Sequence, residues 1–162
     1  MITLETSDFM KGKKHLRRNK YNIAISILFF IVCYYLYQQG YMNVVNKDST
    51  FHQSLLTVNT IFLGFLFTAL GIMVGFASKS LIKALDVAGY MDNYYNSIYF
   101  GMFFHGVSTV ISTIAVVLGH ELIKDEVIIL QQITLLGGVL FFIKSILGIL
   151  KIISEIRNDI NK

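Results

Sequence analysis

Apolar residues in this chain come in four long runs, at residues 23–37, 55–77, 98–118 and 127–150, the last broken only by Gln131, Gln132 and Lys144. A hydrocarbon core of about 30 Å takes about 20 helical residues. Three of the runs meet that length. The first falls short and must draw in Tyr21 or residues 38–42. An unpaired backbone amide in hydrocarbon costs several kcal/mol, so runs of this kind are helices rather than open strands. No proline interrupts them. The pattern predicts an all-α polytopic membrane protein, one domain with transmembrane helices over 22–42, 54–77, 97–118 and 127–150.

The segments between the runs carry their own periodicity. Residues 1–20 are polar and basic, with room only for a short amphipathic helix near Leu16. Helical character persists beyond the second run, where Leu81, Leu85 and Ala88 share a stripe and Gly89 offers a C-cap. One helix from 54 to 88 would measure about 50 Å, so its end should project from the membrane. Asp92 fits the N-cap of the next helix, which makes 78–96 a cytoplasmic helical hairpin. Past the fourth run, Ile149, Ile153, Ile156 and Ile160 recur at helical spacing, so residues 151–162 read as an amphipathic tail. That tail either lies on lipid or serves as a handle for a subunit or soluble partner.

Charge orients the pattern. Twelve of the fourteen Lys and Arg residues fall in residues 1–20, in the second loop, or in and after the fourth run; only Lys47 and Lys124 fall on the other side. The positive-inside rule then puts both termini in the cytoplasm. The same distribution argues against nucleic acid as the partner of the +4 net charge, because the basic residues crowd a membrane entry point, where anionic headgroups meet them. Tyr34, Tyr35, Leu36 and Tyr37 stand where a signal peptide would place a small-x-small cleavage site. Tyrosines also gather at 90, 94, 95 and 99, as an aromatic belt does. Cys33, the single cysteine, supports neither an intramolecular disulfide nor a cysteine-based zinc site. No catalytic, nucleotide-binding or metal-binding motif occurs, so neither an enzyme nor a cofactor is expected. All ten Asp and Glu residues lie outside the span centres, which argues against a proton- or cation-coupled carrier.

Two helix faces carry the remaining chemistry. On the second helix Thr57, Thr60, Gly64, Thr68, Gly71, Gly75 and Ser78 form one small and polar row containing a GxxxG element, with Asn59 beside it. Such a row is either a close-packing seam or a wet pore wall. On the third helix Ser97, Gly101, His105, Ser108, Ser112, Ala115 and Gly119 form a second row. His105 is an intramembrane ionisable group, so it is either a lining residue or a neutral histidine bonded to a serine or to Asn59 on a neighbouring helix. Lys144 lies near enough to the inner end of the fourth helix to snorkel, or would line an inner mouth with Lys151.

The stretch Thr68-Ala69-Leu70-Gly71-Ile72-Met73-Val74-Gly75, followed by Lys79, Lys83 and Ala88-Gly89-Tyr90-Met91, resembles RexB, the membrane component of phage Rex exclusion systems. The specific part of the resemblance covers about residues 64–96; length, four spans, N-in orientation and a polar C-terminal helix match in general terms. It implies an abortive-infection effector of the bacterial cytoplasmic membrane that opens an ion path when a cytoplasmic sensor protein detects phage. In that picture Lys79, Lys83, Tyr90 and Met91 contact the trigger.

The expectation is therefore an oligomeric pore or channel. Asn59, His105, Ser108, Ser112 and Lys144 are its lining or gating candidates, Gly64, Thr68, Gly71, Gly75 and Gly101 its packing seam, and Phe62, Phe65 and Phe104 its dewetting seal. The rival is a non-conducting membrane interaction protein, such as a bacteriocin-immunity or superinfection-exclusion factor.

Overall fold

The computed structural model describes residues 3–42, 48–76, 78, 82–83, 86, 91–119, 121 and 123–160, with side chains from residue 19 onward except those of 155, 156, 159 and 160. Four long helices dominate the described residues: α1 (Thr3–Gln38), α2 (Ser49–Phe76), α3 (Met91–Leu118) and α4 (Asp125–Ile160). Each contains a segment long and apolar enough to cross a membrane: Asn19–Gln38, Ser49–Phe76, Met91–Leu118 and Asp125–Ser154.

Helix ends follow local chemistry. Gly40 adopts φ +75°, Tyr41 N–H donates to Leu36 O, and Gly40 N–H donates to Tyr37 O, each at 3.0 Å. This is a Schellman motif with glycine at C′. It stops α1 at Gln38, so residues 40–42 do not extend the span as expected. The length comes instead from the N-terminal side, where α1 is already helical at Thr3 and continuous through the stretch expected to hold only a short helix. Asp48 Oδ1 accepts from Phe51 N–H at 2.8 Å and caps α2. Gly119, at φ +95°, follows the last residue of α3. Lys124 O accepts the first amide bonds of α4, and Asp125 and Glu126 sit in its first turn, where carboxylates favour the helix dipole.

The start of the segment expected to form a helical hairpin differs from expectation. α2 ends at Phe76 and Ser78 lies in a turn, so no single helix continues to Ala88. Ile82 and Lys83 are helical; Lys79, Ala88, Gly89 and Tyr90 lie outside the described residues. α3 starts at Met91, with Asp92 inside its first turn rather than at the cap.

Burial sorts the residues by heptads. On α2 the buried positions are His52, Asn59, Leu66 and Met73, seven apart. On α4 they include Gln131, Thr134, Gly138, Phe141, Ser145, Gly148 and Ile152, alternating by three and four. On α3 Ser97, Gly101, His105, Ser108, Ser112 and Ala115 also recur at steps of three or four, with Phe104 buried beside His105. This is the spacing of left-handed, knobs-into-holes helix packing. α3 is the hub, packed most extensively on α4 and α2, while α1 leans on the edge of α3 and touches α4 less. Glycines admit bulky neighbours: a Cβ on Gly137 would lie 2.9 Å from Phe104, and one on Gly148 2.5 Å from Tyr94.

Polarity is inverted relative to a water-soluble bundle. Asn22, His52, Asn59, His105, Ser108, Ser112 and Gln131 are buried, while Phe65, Phe67, Phe103, Val117, Leu118 and Leu147 are more than half exposed. An apolar surface of that extent is tolerated where the solvent is itself hydrocarbon. The fold is that of a multi-pass membrane protein.

Candidate functional site

Three helices bring six side chains of the sequence's polar positions into one chain of hydrogen bonds. His52 Nδ1 meets Gln131 Oε1 at 3.1 Å, Gln131 Nε2 donates to Ser112 Oγ at 2.6 Å, and Ser112 Oγ donates to Ser108 O at 2.8 Å. Ser108 Oγ donates to Gln131 O at 3.1 Å and accepts from Asn59 Nδ2 at 2.7 Å. Asn59 Oδ1 then meets His105 Nδ1 at 2.7 Å. His105 alone of these is stacked on an aromatic ring of the interior, Phe62, with centroids 4.9 Å apart and planes 10° apart.

The direction of every bond in this chain follows from two carbonyls. A carbonyl only accepts, so Ser112 and Ser108 must each spend their hydroxyl proton on backbone oxygen. Each hydroxyl then accepts from an amide NH₂, which fixes the orientation of Gln131 and Asn59 and turns their oxygens toward the histidines. Both His52 and His105 must therefore carry a proton on Nδ1. The opposite edge of the His105 ring lies against the Gly138 backbone: a Cβ there would sit 2.6 Å from Nε2, Cε1 and Cδ2. Glycine at 138 is what lets the ring in.

A second polar group lies nearer the other end of the bundle, where Lys144 Nζ of α4 donates to Asn22 Oδ1 of α1. Ser97 Oγ of α3 reaches the same oxygen at 3.4 Å and donates to Asn93 O at 2.8 Å. Ser97 precedes His105 by eight residues, about 12 Å along the helix. An apolar layer fills that interval: Gly101 packs on Leu66 and Phe141, and Phe104 stacks on Phe141 at 5.7 Å.

The expected lining residues are thus brought together but turned inward. Asn59, His105, Ser108 and Ser112 all have zero exposure, because their α3 and α2 rows face α4. They bond to one another rather than to an open surface. Lys144 is half-buried, its ammonium on Asn22 near the start of the α1 span. The expected α2 seam faces the other way. Gly64, Thr68, Gly71 and Gly75 are exposed, as are Thr57, Thr60 and Ser78, and a Cβ on Gly64, Gly71 or Gly75 would meet nothing within 4 Å. The hydroxyls of Thr57, Thr60 and Thr68 donate to the carbonyls of Gln53, Leu56 and Gly64 in their own helix. Gly101 does act as a packing glycine. Met91 is 1% exposed and belongs to the core beside Ile82 and Ile98, so it offers no contact surface to a partner. Lys83 is exposed. Phe62 and Phe104 are interior rings, while Phe65 is 58% exposed.

His52, Gln131, Asn22 and Ser97 complete the two clusters. Three of them had a signal in the sequence: Gln131 interrupts an apolar run, His52 lies seven residues before Asn59, and Ser97 heads the small and polar row of α3. Among the described residues, no three His, Cys, Asp or Glu side chains converge as metal ligands would.

The class defined by these features is a multi-pass membrane protein with a hydrogen-bonded polar interior. Compared with known protein families, curated proteins and solved structures, the chain matches none.

Proposed function

We propose that the protein is an oligomeric pore or ion-channel effector of the bacterial cytoplasmic membrane, with an ion path between subunits and both termini in the cytoplasm. The observation that carries this reading is the division of polar positions. Each subunit closes its interior around the His52–His105 hydrogen-bond chain and turns a second row, from Thr57 to Gly75, outward. A path along this row needs more than one copy, and small residues let helices of neighbouring subunits approach closely. The interior chain then holds α2, α3 and α4 in register behind the lining face.

The resemblance to RexB supplies the setting: abortive infection, triggered by a cytoplasmic sensor protein that would reach the exposed Lys83 region. Inducible expression in a bacterium loaded with a potential-sensitive dye tests the proposal. Wild type should depolarise the membrane, and Gly71→Leu, which changes only the outward row, should suppress that effect without loss of folded protein. No depolarisation under any trigger, phage infection included, refutes conduction.

The second reading, a non-conducting interaction protein of the immunity or exclusion kind, draws on the same interior. Every hydroxyl and amide of the central chain already has a protein partner. On that reading Gly71→Leu abolishes capture of a membrane partner while the potential never changes.

A further inference from the structure

We propose that the junction of α1, α3 and α4 binds a singly charged oxyanion, the phosphate of an anionic lipid headgroup or free phosphate, through Lys144 Nζ with Asn22 as its positioning residue. An ammonium taken out of water costs several kcal/mol unless a counter-charge and hydrogen bonds replace its hydration. Lys144 is half-buried within a membrane span. Its partners are the neutral Asn22 Oδ1 and the face of the Phe141 ring, 5.9 Å away. Among the described residues no carboxylate pairs with it. Asp92, the nearest acid on α3 in sequence to Ser97, is five residues away and so lies off the Asn93–Ser97 row.

The donors around this charge are unspent. An ammonium has three N–H groups, of which one serves Asn22. Asn22 is fully buried, and its Nδ2 has no hydrogen-bond partner. Buried polar atoms are normally satisfied, and the spare ammonium N–H groups together with the open Nδ2 of Asn22 describe a place where something that accepts hydrogen bonds and carries negative charge is missing. α1 is the least embedded helix, and Lys20, exposed over the Tyr21 ring at 5.1 Å, adds positive charge to this end of α1 on another face. This geometry suits a monoanionic phosphate better than a cation, which Lys144 repels, or a neutral ligand, which leaves its charge uncompensated.

The test uses full-length protein extracted from bilayers of phosphatidylcholine alone or mixed with phosphatidylglycerol, with retained lipid read by native mass spectrometry. A parallel titration of inorganic phosphate in neutral detergent is read by thermal unfolding. Wild type should retain phosphatidylglycerol in preference to phosphatidylcholine. Lys144→Met should weaken that preference about tenfold or more, as loss of a charge-assisted contact does. Asn22→Ala should weaken it less, and Lys151→Met, at an exposed position, should leave it unchanged. Stabilisation by inorganic phosphate identifies a free oxyanion as the ligand, and retention of phosphatidylglycerol alone identifies the headgroup. Equal lipid retention by wild type and Lys144→Met without a phosphate response overturns the proposal, as does an equal loss in Lys151→Met. Should Lys144→Met not fold, Asn22→Ala decides, and unchanged retention in it is a refutation. Lipid retention is read without conduction, so this outcome is independent of whether the protein is a channel.

Discussion

The bond between Asn59 and His105 can be measured by a double-mutant cycle. Asn59→Ala removes two hydrogen bonds of 2.7 Å, to His105 Nδ1 and Ser108 Oγ, and leaves the Nδ1–H without an acceptor in a site with zero exposure. That loss should cost about 2–4 kcal/mol. His105→Ala opens a ring-sized void between Phe62 and Gly138 and strands Asn59 Oδ1, at about 2–5 kcal/mol. The double variant no longer suffers the stranded partner twice. Interhelical hydrogen bonds in membrane proteins give coupling energies averaging about 0.6 and reaching about 1.7 kcal/mol. The short distance and complete burial here place the expected coupling in the upper part of that range. Reversible unfolding in mixed micelles, followed by helical circular dichroism, supplies the four stabilities. Additivity within about 0.3 kcal/mol would mean that the two side chains do not bond, and the argument for the Nδ1 tautomer would fall with it.

Glycine substitutions should separate interior from outer face. Gly138→Ala drives a methyl into the His105 ring and should destabilise by about 1–3 kcal/mol, whereas Gly71→Ala meets open space and should be neutral or stabilising by up to about 1 kcal/mol in the same unfolding assay. Gly40→Ala, at φ +75°, should cost about 1–2 kcal/mol and fray the last turn of α1, visible as faster amide exchange at Gly40 and Tyr41. Nitrogen chemical shifts of labelled protein should report protonated Nδ1 on both His52 and His105; a protonated Nε2 with bare Nδ1 on either would contradict the bonding direction derived from Ser108 and Ser112.

Much of the fold was legible because lipid imposes a length on apolar runs: three of the four runs fall within spanning helices, and the second does so up to Phe76. The end of α1 was misjudged because apolarity does not encode backbone handedness: Gly40 terminates the helix by its positive φ whatever the hydropathy of Tyr41 and Met42. The two small-residue rows look alike in sequence, since Thr, Ser and Gly at three-four spacing suit an interior and an interface equally. What distinguishes them is the neighbour. The α3 row meets Gln131, Gly138 and Phe141 of α4, whereas the α2 row is rotated away from the His52, Asn59, Leu66 and Met73 seam that packs. His105 and Asn59 were identifiable as polar groups in hydrocarbon. Their pairing depends on the α2–α3 register, which only the folded chain specifies. Lys144 looked free to snorkel, and Asn22, a lone amide at the start of a span, gave no sign that it would receive it.

Cysteine accessibility tests the central claim most directly. With Cys33, which is buried, replaced by alanine, Thr68→Cys and Ser112→Cys place a thiol on the outward α2 row and in the subunit interior. Under conditions that depolarise the membrane, a charged, membrane-impermeant thiol reagent should modify the residue-68 variant and alter its conductance, and oxidation should cross-link its copies into dimers. The residue-112 variant should stay unmodified. Modification at 112 with an inert, uncross-linked 68 would place the water inside the subunit and contradict a path between copies.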